Sequence, residues 1–200
     1  MFTGIIEEIG TVLEARGDLV IVGSKRILDD CKRGDSIAVN GVDLTVCDIT
    51  STSFSANVMP ETCRRSNLSS LVAGASVNLE RSLRPVDRIS GHLVRGVIEG
   101  TGAIVAYESD GSALIMSCEC GPELLQHVVL KGPVAVDGVS LTTVKVSRNG
   151  FSVSLVEYTR ENTTLEQKGV GEIVNIETDI IARYVHRILN ESSLDNGALG

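Results

Sequence analysis

The sequence predicts a mainly β protein in which two similar barrels follow one another and a single helix ends the chain. Three observations support this fold class. Hydrophobic residues make up 42% of the 200 residues, yet there is no Trp and aromatic residues are only 3%, so Val, Ile, Leu and Ala must form the core. Branched side chains favour strands because they pack well on a pleated surface. Short apolar segments alternate with Gly, Asn and Asp, and the two halves of the chain share one pattern.

The internal repeat is clearest when the chain is compared with itself at two offsets. At an offset of 97 positions, NGVDLTV at 40–46 aligns with DGVSLTT at 137–143. At an offset of 92 positions, GIIEEIGTV at 4–12 aligns with GVIEGTGAIV at 96–105. The segment between the copies, RSLRPVDRISG, is polar with one Pro, which suits a linker. The predicted divisions are an N-terminal domain at 1–88, a C-terminal domain at 89–179, and an oligomerisation helix with a tail at 180–200.

Each copy has the pattern of short strands that is typical of a small closed or nearly closed antiparallel barrel. One short helix is predicted in each copy, at Lys25–Lys32 and at Glu123–Leu130, and Pro122 suits the first turn of the second helix. The strands predicted in the first copy are Leu19–Val22, Ser36–Val39, Leu44–Ile49, Phe54–Val58 and Ser76–Leu79. Those predicted in the second copy are Ala113–Ser117, Val134–Val136, Ser140–Val146, Phe151–Leu155 and Ile173–Ile176.

The C-terminal segment has helical rather than strand periodicity, and Asp179 is placed to cap its first turn. Its apolar face can pack on the second barrel of the same chain, or it can contact another subunit. The residues that form this face are Ile180, Ile181, Tyr184, Val185, Ile188 and Leu189.

Composition excludes several classes of partner. A net charge of −8 and a pI of about 4.9 argue against nucleic acid as the main partner. We find no apolar run long enough to cross a membrane, and the N-terminus MFTGIIEEIG lacks the pattern of a signal peptide, so we expect a cytoplasmic protein. The five Cys residues are irregularly spaced, which predicts free and mostly buried thiols rather than a metal site or disulfides.

Seven motifs give the chain a resemblance to a known family. They are MFTGI, NGVDLTV, VMPET, VNLER, SGHLVRG, DGVSLT and VNIETD, in this order from Met1 to about Leu189. Together they resemble the riboflavin synthases of the alpha-chain type. The same fold family includes lumazine proteins, which bind the pigment and do no chemistry.

The resemblance implies a fold, a reaction and an assembly. The fold is a tandem pair of six-stranded antiparallel Greek-key barrels. The reaction is the dismutation of two 6,7-dimethyl-8-ribityllumazine molecules to riboflavin and 5-amino-6-ribitylaminouracil, with no cofactor and no metal. The family assembles as homotrimers, and the two reacting molecules lie between the N-terminal barrel of one subunit and the C-terminal barrel of its neighbour.

A duplicated barrel suits this chemistry because donor and acceptor are the same compound and need two similar, facing pockets. Holding two reactants in the right orientation can supply roughly 7–11 kcal/mol of the barrier. The C7 methyl group of the lumazine is already acidic, since its anion delocalises into the ring. The protein therefore needs orientation, hydrogen bonds and modest base catalysis rather than a strong nucleophile.

Each pocket is expected to use extended backbone, whose alternating N–H and C=O groups suit the edge of a pteridinedione. By resemblance, the N-terminal pocket uses Gly4, Ile5, Ile6, Asp43, Leu44, Thr45, Asn57, Val58, Met59, Pro60, Glu61 and Thr62. The C-terminal pocket uses Gly96, Val97, Ile98, Lys131, Ser140, Leu141, Thr142, Val156, Glu157, Tyr158, Thr159, Arg160 and Glu161.

Several of these residues also have a plain structural interpretation. Lys131 can hold a ribityl hydroxyl or a ring oxygen, or it can be a solvated turn residue. His92 of SGHLVRG is expected to be structural, because a lone His more often is. Phe2 can be a structural residue at a barrel entrance, and Ser36 can be an ordinary strand residue. The residues expected at the reaction site are Phe2, Thr3, Ser36, Asp43, Ser140 and Thr142.

Three positions depart from the family pattern. Asp43 stands where the family has Cys, and Val97 stands where it has a second His. Asp43 can act as a base if it is buried, or it can hydrogen-bond the ligand; Val97 cannot move protons. The segment VEYT at 156–159 replaces Ile-Pro-x-Thr. Riboflavin synthase remains the leading hypothesis, and a non-catalytic lumazine- or flavin-binding protein is the alternative.

Overall fold

The computed structural model describes residues 1–196, with side chains as far as residue 190. It contains two closed, six-stranded antiparallel barrels, which confirms the predicted fold class. The first barrel consists of β1 (Glu8–Arg16), β2 (Leu19–Gly23), β3 (Ser36–Val39), β4 (Val42–Ile49), β5 (Ser53–Asn57) and β6 (Ser76–Arg81). The second consists of β7 (Gly100–Asp110), β8 (Ala113–Cys120), β9 (Pro133–Val136), β10 (Val139–Val146), β11 (Gly150–Leu155) and β12 (Ile173–Thr178).

Strand order is the same in both barrels. Around the first it runs β1-β2-β5-β4-β3-β6, and around the second β7-β8-β11-β10-β9-β12. The register shifts at matching places, between Val12 and Glu14 in β1 and between Ile104 and Ala106 in β7. Bulges of this kind bend a strand and increase its twist, which helps a small sheet to close. The repeat therefore extends from sequence to the irregularities of the backbone.

Alternating side chains fill each barrel, as β4 shows. Val42, Leu44 and Val46 are buried in the core of the first barrel, while Asp43 and Thr45 between them are exposed. Burying one such aliphatic side chain contributes roughly 1.5–3 kcal/mol. Because β10 repeats the pattern, polar residues at these alternate positions lie on the outside of both barrels.

Two predicted helices are much shorter than expected, and two others were not predicted. In place of a helix at Lys25–Lys32 there is a single 3₁₀ turn at Arg26–Leu28. In place of a helix at Glu123–Leu130 there is a single turn at Pro122–Leu125. The α-helices are α1 (Pro60–Arg65), α2 (Pro122–Leu125), α3 (Glu157–Asn162) and α4 (Ile180–Asn196).

Helix α4 begins as predicted, with the Asp179 carboxylate accepting a hydrogen bond from the Ile181 amide at 3.0 Å. Its polar side reaches the second barrel, where Arg183 pairs with Glu99 at 2.9 Å. The apolar face does not pack on that barrel, so the first of the two predicted alternatives is wrong for this face. The last four residues of the predicted tail, 197–200, lie outside the described residues. The exposed apolar side chains are Ile181, Tyr184, Val185, Ile188 and Leu189, between 50% and 65% exposed.

Among the described helices, none is long and apolar enough to cross a membrane. The five cysteines all lie in the described part of the chain and are free thiols. Only Cys118 is buried, so the prediction of mostly buried thiols is wrong; the others are partly exposed.

The barrels meet back to back at two equivalent hairpin turns. Asn40-Gly41 joins β3 to β4, and Asp137-Gly138 joins β9 to β10. All four residues have positive φ angles, between 45° and 79°, as a tight hairpin of the primed type requires. A Cβ added to Gly41 would lie 2.6 Å from the backbone nitrogen of Gly138. These glycines let the backbones of the two turns approach closely at the pseudo-twofold axis.

A buried amide network ties the two turns together. The side chain of Asn78 donates to the Asp137 carbonyl at 3.0 Å, and that of Asn175 donates to the Asn40 carbonyl at 2.8 Å. Asn78 and Asn175 are equivalent in the repeat, so the contacts are reciprocal. The network is not fully symmetric, because Asp137 is fully buried and pairs with Lys168 at 3.2 Å.

Candidate functional site

The segment that precedes each barrel crosses over to the other barrel. The amides of Phe2 and Val94 donate to each other's carbonyl groups at 2.7 and 3.1 Å. Beyond this bridge, the Gly4 carbonyl accepts from the Ser140 amide at 2.8 Å, and the Gly96 carbonyl accepts from the Asp43 amide at 3.0 Å. Residues 4–6 therefore lie against β10, and residues 96–98 lie against β4.

This crossing corrects the predicted composition of the two pockets. We expected Gly4, Ile5 and Ile6 in the N-terminal pocket, but Ile6 packs in the core of the second barrel. We expected residues 96–98 in the C-terminal pocket, but Ile98 packs against the core of the first barrel. Residues 96–98 therefore line the first pocket, and Gly4 and Ile6 lie against the second barrel, because the alignment shows which copy a residue belongs to and not which copy it packs on. Ile5 keeps its predicted side, since it lines a cavity on the first barrel.

Glycine is required where each segment crosses. Gly4 and Gly96 have φ angles of 77° and 81°, which L side chains rarely adopt. A Cβ at Gly4 would lie 2.6 Å from Ser140, and one at Gly96 would lie 2.5 Å from Asp43. The two segments thus touch the strands that the sequence placed at the centre of each pocket.

A cavity of about 670 Å³ lies on the first barrel beside its crossing segment. Its wall includes Arg65 and Glu99 as well as predicted residues, and both the Asp43 and Thr45 side chains are exposed. Asp43 is therefore placed to hydrogen-bond a ligand. The predicted role as a base requires a buried side chain, and that of Asp43 is exposed. The predicted residues that line this cavity are Ser36, Asp43, Thr45, Glu61, Thr62, Gly96, Val97 and Ile98.

The two segments expected to be extended along their whole length are extended only at their start. In the first, β5 ends at Asn57 and helix α1 begins at Pro60, whose fixed φ suits a first helical turn. In the second, β11 ends at Leu155 and helix α3 begins at Glu157. The residues whose helical conformation was not predicted are Pro60, Glu61, Thr62, Glu157, Tyr158, Thr159, Arg160 and Glu161.

A His–Ser pair lies on the second barrel beside the segment that crosses to it, where the C-terminal pocket is predicted. Nδ1 of His92 lies 2.7 Å from Oγ of Ser140, and the His92 amide donates to the Thr3 carbonyl at 3.1 Å. Burial lowers the pKa of His92, which favours the neutral imidazole. Nε2 of the ring is buried and has no hydrogen-bonding partner among the described residues. His92 is thus a candidate proton acceptor rather than the structural residue that we expected.

The remaining predicted residues divide between surface and core. Thr142 is exposed on β10, beside the buried Leu141, and Leu44 is likewise buried inside the first barrel. The Phe2 ring is fully buried between the barrels with Val94, which fits its structural alternative. The strand-end segments of both predicted pockets are largely exposed: Asn57 and Met59 of the first and Val156 and Tyr158 of the second are on the surface, and Val58 of the first is buried.

Thr3 and Ser36 line a second cavity, of about 490 Å³, between the first barrel and the linker. Ser36 also lines the larger cavity, so its side chain connects the two. The wall of this cavity also includes Glu80 on β6, a residue that was not predicted to have a functional role.

Glu80 and Glu177 are the functional candidates that sequence reasoning missed. Glu80 accepts hydrogen bonds from the Thr3 amide and the Gly4 amide at 2.7 and 3.0 Å. Glu177, at the equivalent position of β12, accepts from the Gly96 amide at 2.9 Å. Burial raises the pKa of Glu80 to about 7 and also raises the pKa of Glu177. The signal was present, since VNLE and VNIE repeat a charged residue at the end of a buried strand.

Lys131 occupies a backbone conformation that its equivalent fills with glycine. Its φ is 65°, and Gly34 at the matching position of the first barrel has a φ of 90°. Both amides donate to equivalent carbonyl groups, that of Lys131 to Thr143 on β10 and that of Gly34 to Val46 on β4. A left-handed non-glycine residue costs about 1–2 kcal/mol. Both interpretations of Lys131, ligand contact and solvated turn residue, therefore stay open, and the positive φ makes the position a candidate for a test.

Comparison with known proteins agrees with this architecture. The family model described as lumazine binding domain matches twice, at residues 3–82 and 95–179. The chain is 41% identical over 197 residues to riboflavin synthase of Bacillus subtilis (strain 168), covering 96% of this chain and 92% of the relative. It is 42% identical over 200 residues to riboflavin synthase of Mycobacterium tuberculosis (strain ATCC 25618 / H37Rv), covering 96% and 100%.

Solved structures show the same fold. The crystal structure of LumP complexed with 6,7-dimethyl-8-(1'-D-ribityl) lumazine aligns with a TM-score of 0.81 at 21% identity, over 89% of this chain and 99% of that chain. LumP complexed with riboflavin aligns with a TM-score of 0.82 at 21% identity, over 90% and 100%. At this identity the likeness concerns the fold alone. With two domain matches and relatives above 40% identity along nearly its whole length, the chain belongs to the lumazine-binding domain family.

Proposed function

We propose that the protein is a riboflavin synthase that converts two molecules of 6,7-dimethyl-8-ribityllumazine into riboflavin and 5-amino-6-ribitylaminouracil. A four-carbon unit passes from one lumazine to the other, so the reaction is a transfer and needs no external oxidant. The observation that carries the proposal is the pair of crossing segments, which lie in equivalent ways against β4 of the first barrel and β10 of the second. Relatives named riboflavin synthase cover nearly the whole chain, which supports the same assignment.

Proton transfer from the C7 methyl group is assigned to the second pocket. The neutral His92 ring can accept a proton, either directly at Nε2 or through the Ser140 hydroxyl at Nδ1. A positioned base of this kind contributes about 10²–10⁴-fold to the rate. The methyl protons are acidic without help, so a neutral imidazole is a sufficient base.

The first pocket is assigned to the partner molecule. Asp43 and Thr45 are exposed on β4 and can hydrogen-bond the ring edge, while Arg65 lines the same cavity. Val97 lies in this cavity where the family pattern has His, so proton transfer in this pocket does not use that position. The reaction then depends on unequal pockets, with the base in one and the hydrogen-bonding carboxylate in the other.

Helix α4 supports the proposal of a homotrimer in which the N-terminal barrel of one subunit faces the C-terminal barrel of the next. Its apolar side chains are half or more exposed in the single chain, as expected for a face that is covered on association. Removing residues 180–200 should dissociate the trimer and abolish turnover, because neither barrel alone brings two lumazines together. An active monomer in sedimentation analysis contradicts the assembly.

The reaction requires no metal or cofactor, and the five free thiols fit a cytoplasmic location, where cysteines stay reduced. Neither nucleic acid nor a membrane is proposed as a partner, given the acidic net charge.

The function is tested by incubating the purified protein with 6,7-dimethyl-8-ribityllumazine and following both products by absorbance and chromatography. We expect one riboflavin and one ribitylaminouracil for every two lumazines consumed. A folded Ser140→Ala variant is the control for background reaction. Tight lumazine binding without any riboflavin above the buffer control contradicts the proposal and identifies a pigment-binding protein instead.

A further inference from the structure

We propose that Glu80 and Glu177 are positioning residues that act across the two barrels. Each belongs to the last strand of one barrel and orients the ligand pocket of the other. The inference rests on the proposed function, since it assigns roles at the two lumazine pockets. It concerns the backbone that holds the reacting groups rather than groups that touch the ligand.

Glu80 fixes the first crossing segment with both carboxylate oxygens. Oε1 accepts from the Thr3 amide at 2.7 Å and from the Thr3 hydroxyl at 2.8 Å, and Oε2 accepts from the Gly4 amide at 3.0 Å. The side chain is only 5% exposed. A buried carboxylate is costly unless it is hydrogen-bonded, and here three donors from one short segment converge on it.

The segment that Glu80 holds is the one that supports the second pocket. The Thr3 carbonyl accepts from the His92 amide at 3.1 Å, and the Gly4 carbonyl accepts from the Ser140 amide at 2.8 Å. The Glu80 carboxylate is therefore connected to His92 through Thr3 and to Ser140 through Gly4, with one bridging residue in each case. A shift of Thr3 and Gly4 changes the relative placement of His92 and Ser140.

Glu177 repeats this arrangement toward the first pocket. Its carboxylate accepts from the Gly96 amide at 2.9 Å and from the Val97 amide at 3.0 Å. The Gly96 carbonyl then accepts from the Asp43 amide at 3.0 Å. Gly96 and Val97 line the cavity of the first barrel together with Asp43. The last strand of the second barrel thus sets the position of the wall of the first pocket.

A carboxylate suits this task better than an amide. In its ionised form, which Glu80 adopts as the pH rises through its pKa of about 7, a carboxylate only accepts hydrogen bonds, and the groups it faces in both segments are N–H and O–H donors. A Gln at either position turns one of its two oxygens into an NH₂ group, which then meets a backbone N–H. The substitution removes one or more of these contacts while it preserves the size of the side chain.

Double-mutant cycles on the full chain test whether each glutamate orients the pocket of the opposite barrel. Displacing a reacting group by about 1 Å can cost up to about 10²-fold in rate, so we expect Glu80→Gln to lower kcat by at least about tenfold. This loss should largely disappear in a Ser140→Ala background, because the pocket that Glu80 orients is already disabled. In an Asp43→Asn background the losses should multiply. Glu177→Gln should show the reverse, coupling to Asp43 and not to Ser140.

Glu119→Gln, an exposed substitution on β8, is the matched control and should leave kcat and KM unchanged. All rates are measured at a temperature at which circular dichroism shows each variant to be folded. Coupling of Glu80 to Asp43 rather than Ser140, or a lower melting temperature with unchanged kinetics, overturns the proposal. If Glu80→Gln does not fold, Thr3→Val removes the hydroxyl contact to the same carboxylate and enters the same cycle.

Amide hydrogen exchange provides a test that does not depend on turnover. Glu80→Gln should speed exchange at the Gly4 and Ser140 amides and leave those of Gly96 and Asp43 unchanged. Glu177→Gln should do the opposite. If the wild-type protein makes no riboflavin, the proposed function fails, but the exchange pattern still decides whether each glutamate holds the opposite pocket. Equal loss of protection at both pockets in each variant contradicts the crossing.

Discussion

The two barrels share their frame and differ in their chemistry. Gly4 and Gly96 have similar positive φ angles, and the Glu80 and Glu177 carboxylates each accept a hydrogen bond from one of these glycine amides. At the ligand-facing residues the copies diverge, with Asp43 lining the cavity on the first barrel and Ser140 bonded to His92 on the second barrel. The comparison shows that duplication preserved the parts that position a ligand, while the groups that act on it became unequal. A reaction with one donor and one acceptor of identical structure needs this combination.

The largest expected effect lies at the axis where the barrels meet. Gly41→Ala and Gly138→Ala should each destabilise the protein by about 4 kcal/mol, because a Cβ overlaps the opposing backbone and the positive φ adds strain. Gly74→Ala is the control, since its φ is 92° but no described atom lies within 4 Å of its added Cβ. Chemical denaturation should show a cost of only about 1–2 kcal/mol for the control. Equal costs at Gly41 and Gly74 would contradict the close approach of the two turns.

Glu80 should make stability depend on pH. Burial raises its pKa from 4.5 to about 7, with Glu7 contributing repulsion, so the folded chain binds a proton that the unfolded chain has lost between these values. The stability that this proton supplies is present below about pH 4.5 and is lost as the pH rises through 7, about 3 kcal/mol in all. Urea denaturation of Glu80→Gln should lack this component. An identical pH dependence in wild type and variant contradicts it, and Glu119→Gln should match the wild type.

The next effect separates the chemistry of the two pockets. His92→Gln should lower kcat by about 10²-fold, because it removes the proton acceptor beside Ser140. Asp43→Asn should mainly raise KM, since the exposed Asp43 contacts the ligand and does not take the proton. Steady-state kinetics at saturating lumazine distinguishes the two. A loss of about 10²-fold in kcat for Asp43→Asn, restored by Asp43→Cys, would instead make Asp43 the base.

The smallest expected effect concerns Lys131 and Gly34. Lys131→Gly should increase stability by about 1 kcal/mol, because it relieves a left-handed conformation, and should weaken lumazine binding. Gly34→Lys should reduce stability by a similar amount without improving binding. Thermal denaturation and fluorescence titration measure the two quantities separately. If Lys131→Gly leaves lumazine affinity unchanged, Lys131 is the solvated turn residue of the alternative interpretation.

The repeat made the fold predictable, but it could not show how the copies interlock. Asp43, Leu44 and Thr45 were all expected in the pocket, but in the structure Asp43 and Thr45 lie outside the barrel and Leu44 lies inside it. Short helices such as α1 were missed because one or two turns leave no periodic signal and depend on contacts elsewhere in the chain. The position of Gly4, Ile6 and residues 96–98 against the opposite barrel has no local signal, since it depends on how the barrels dock.

The pocket chemistry was predictable in part for the same reason. Ser140 was expected at the reaction site from its motif, and His92 was not, because nothing in the sequence of SGHLVRG shows that its ring reaches β10. Glu80 was overlooked because a charged residue at the end of a strand is usually a surface residue. Its burial results from the N-terminal segment folding over it, which is a tertiary contact across 77 positions of sequence.

One chain is expected to carry two related but unequal lumazine pockets, and calorimetric titration measures both of them. A His92→Gln variant, which is expected to turn over slowly, is titrated with 6,7-dimethyl-8-ribityllumazine. We predict two molecules bound per chain with different dissociation constants, and Asp43→Asn should weaken only one of them. A single molecule per chain, or two sites that both respond to Asp43→Asn, would contradict the presence of two unequal pockets.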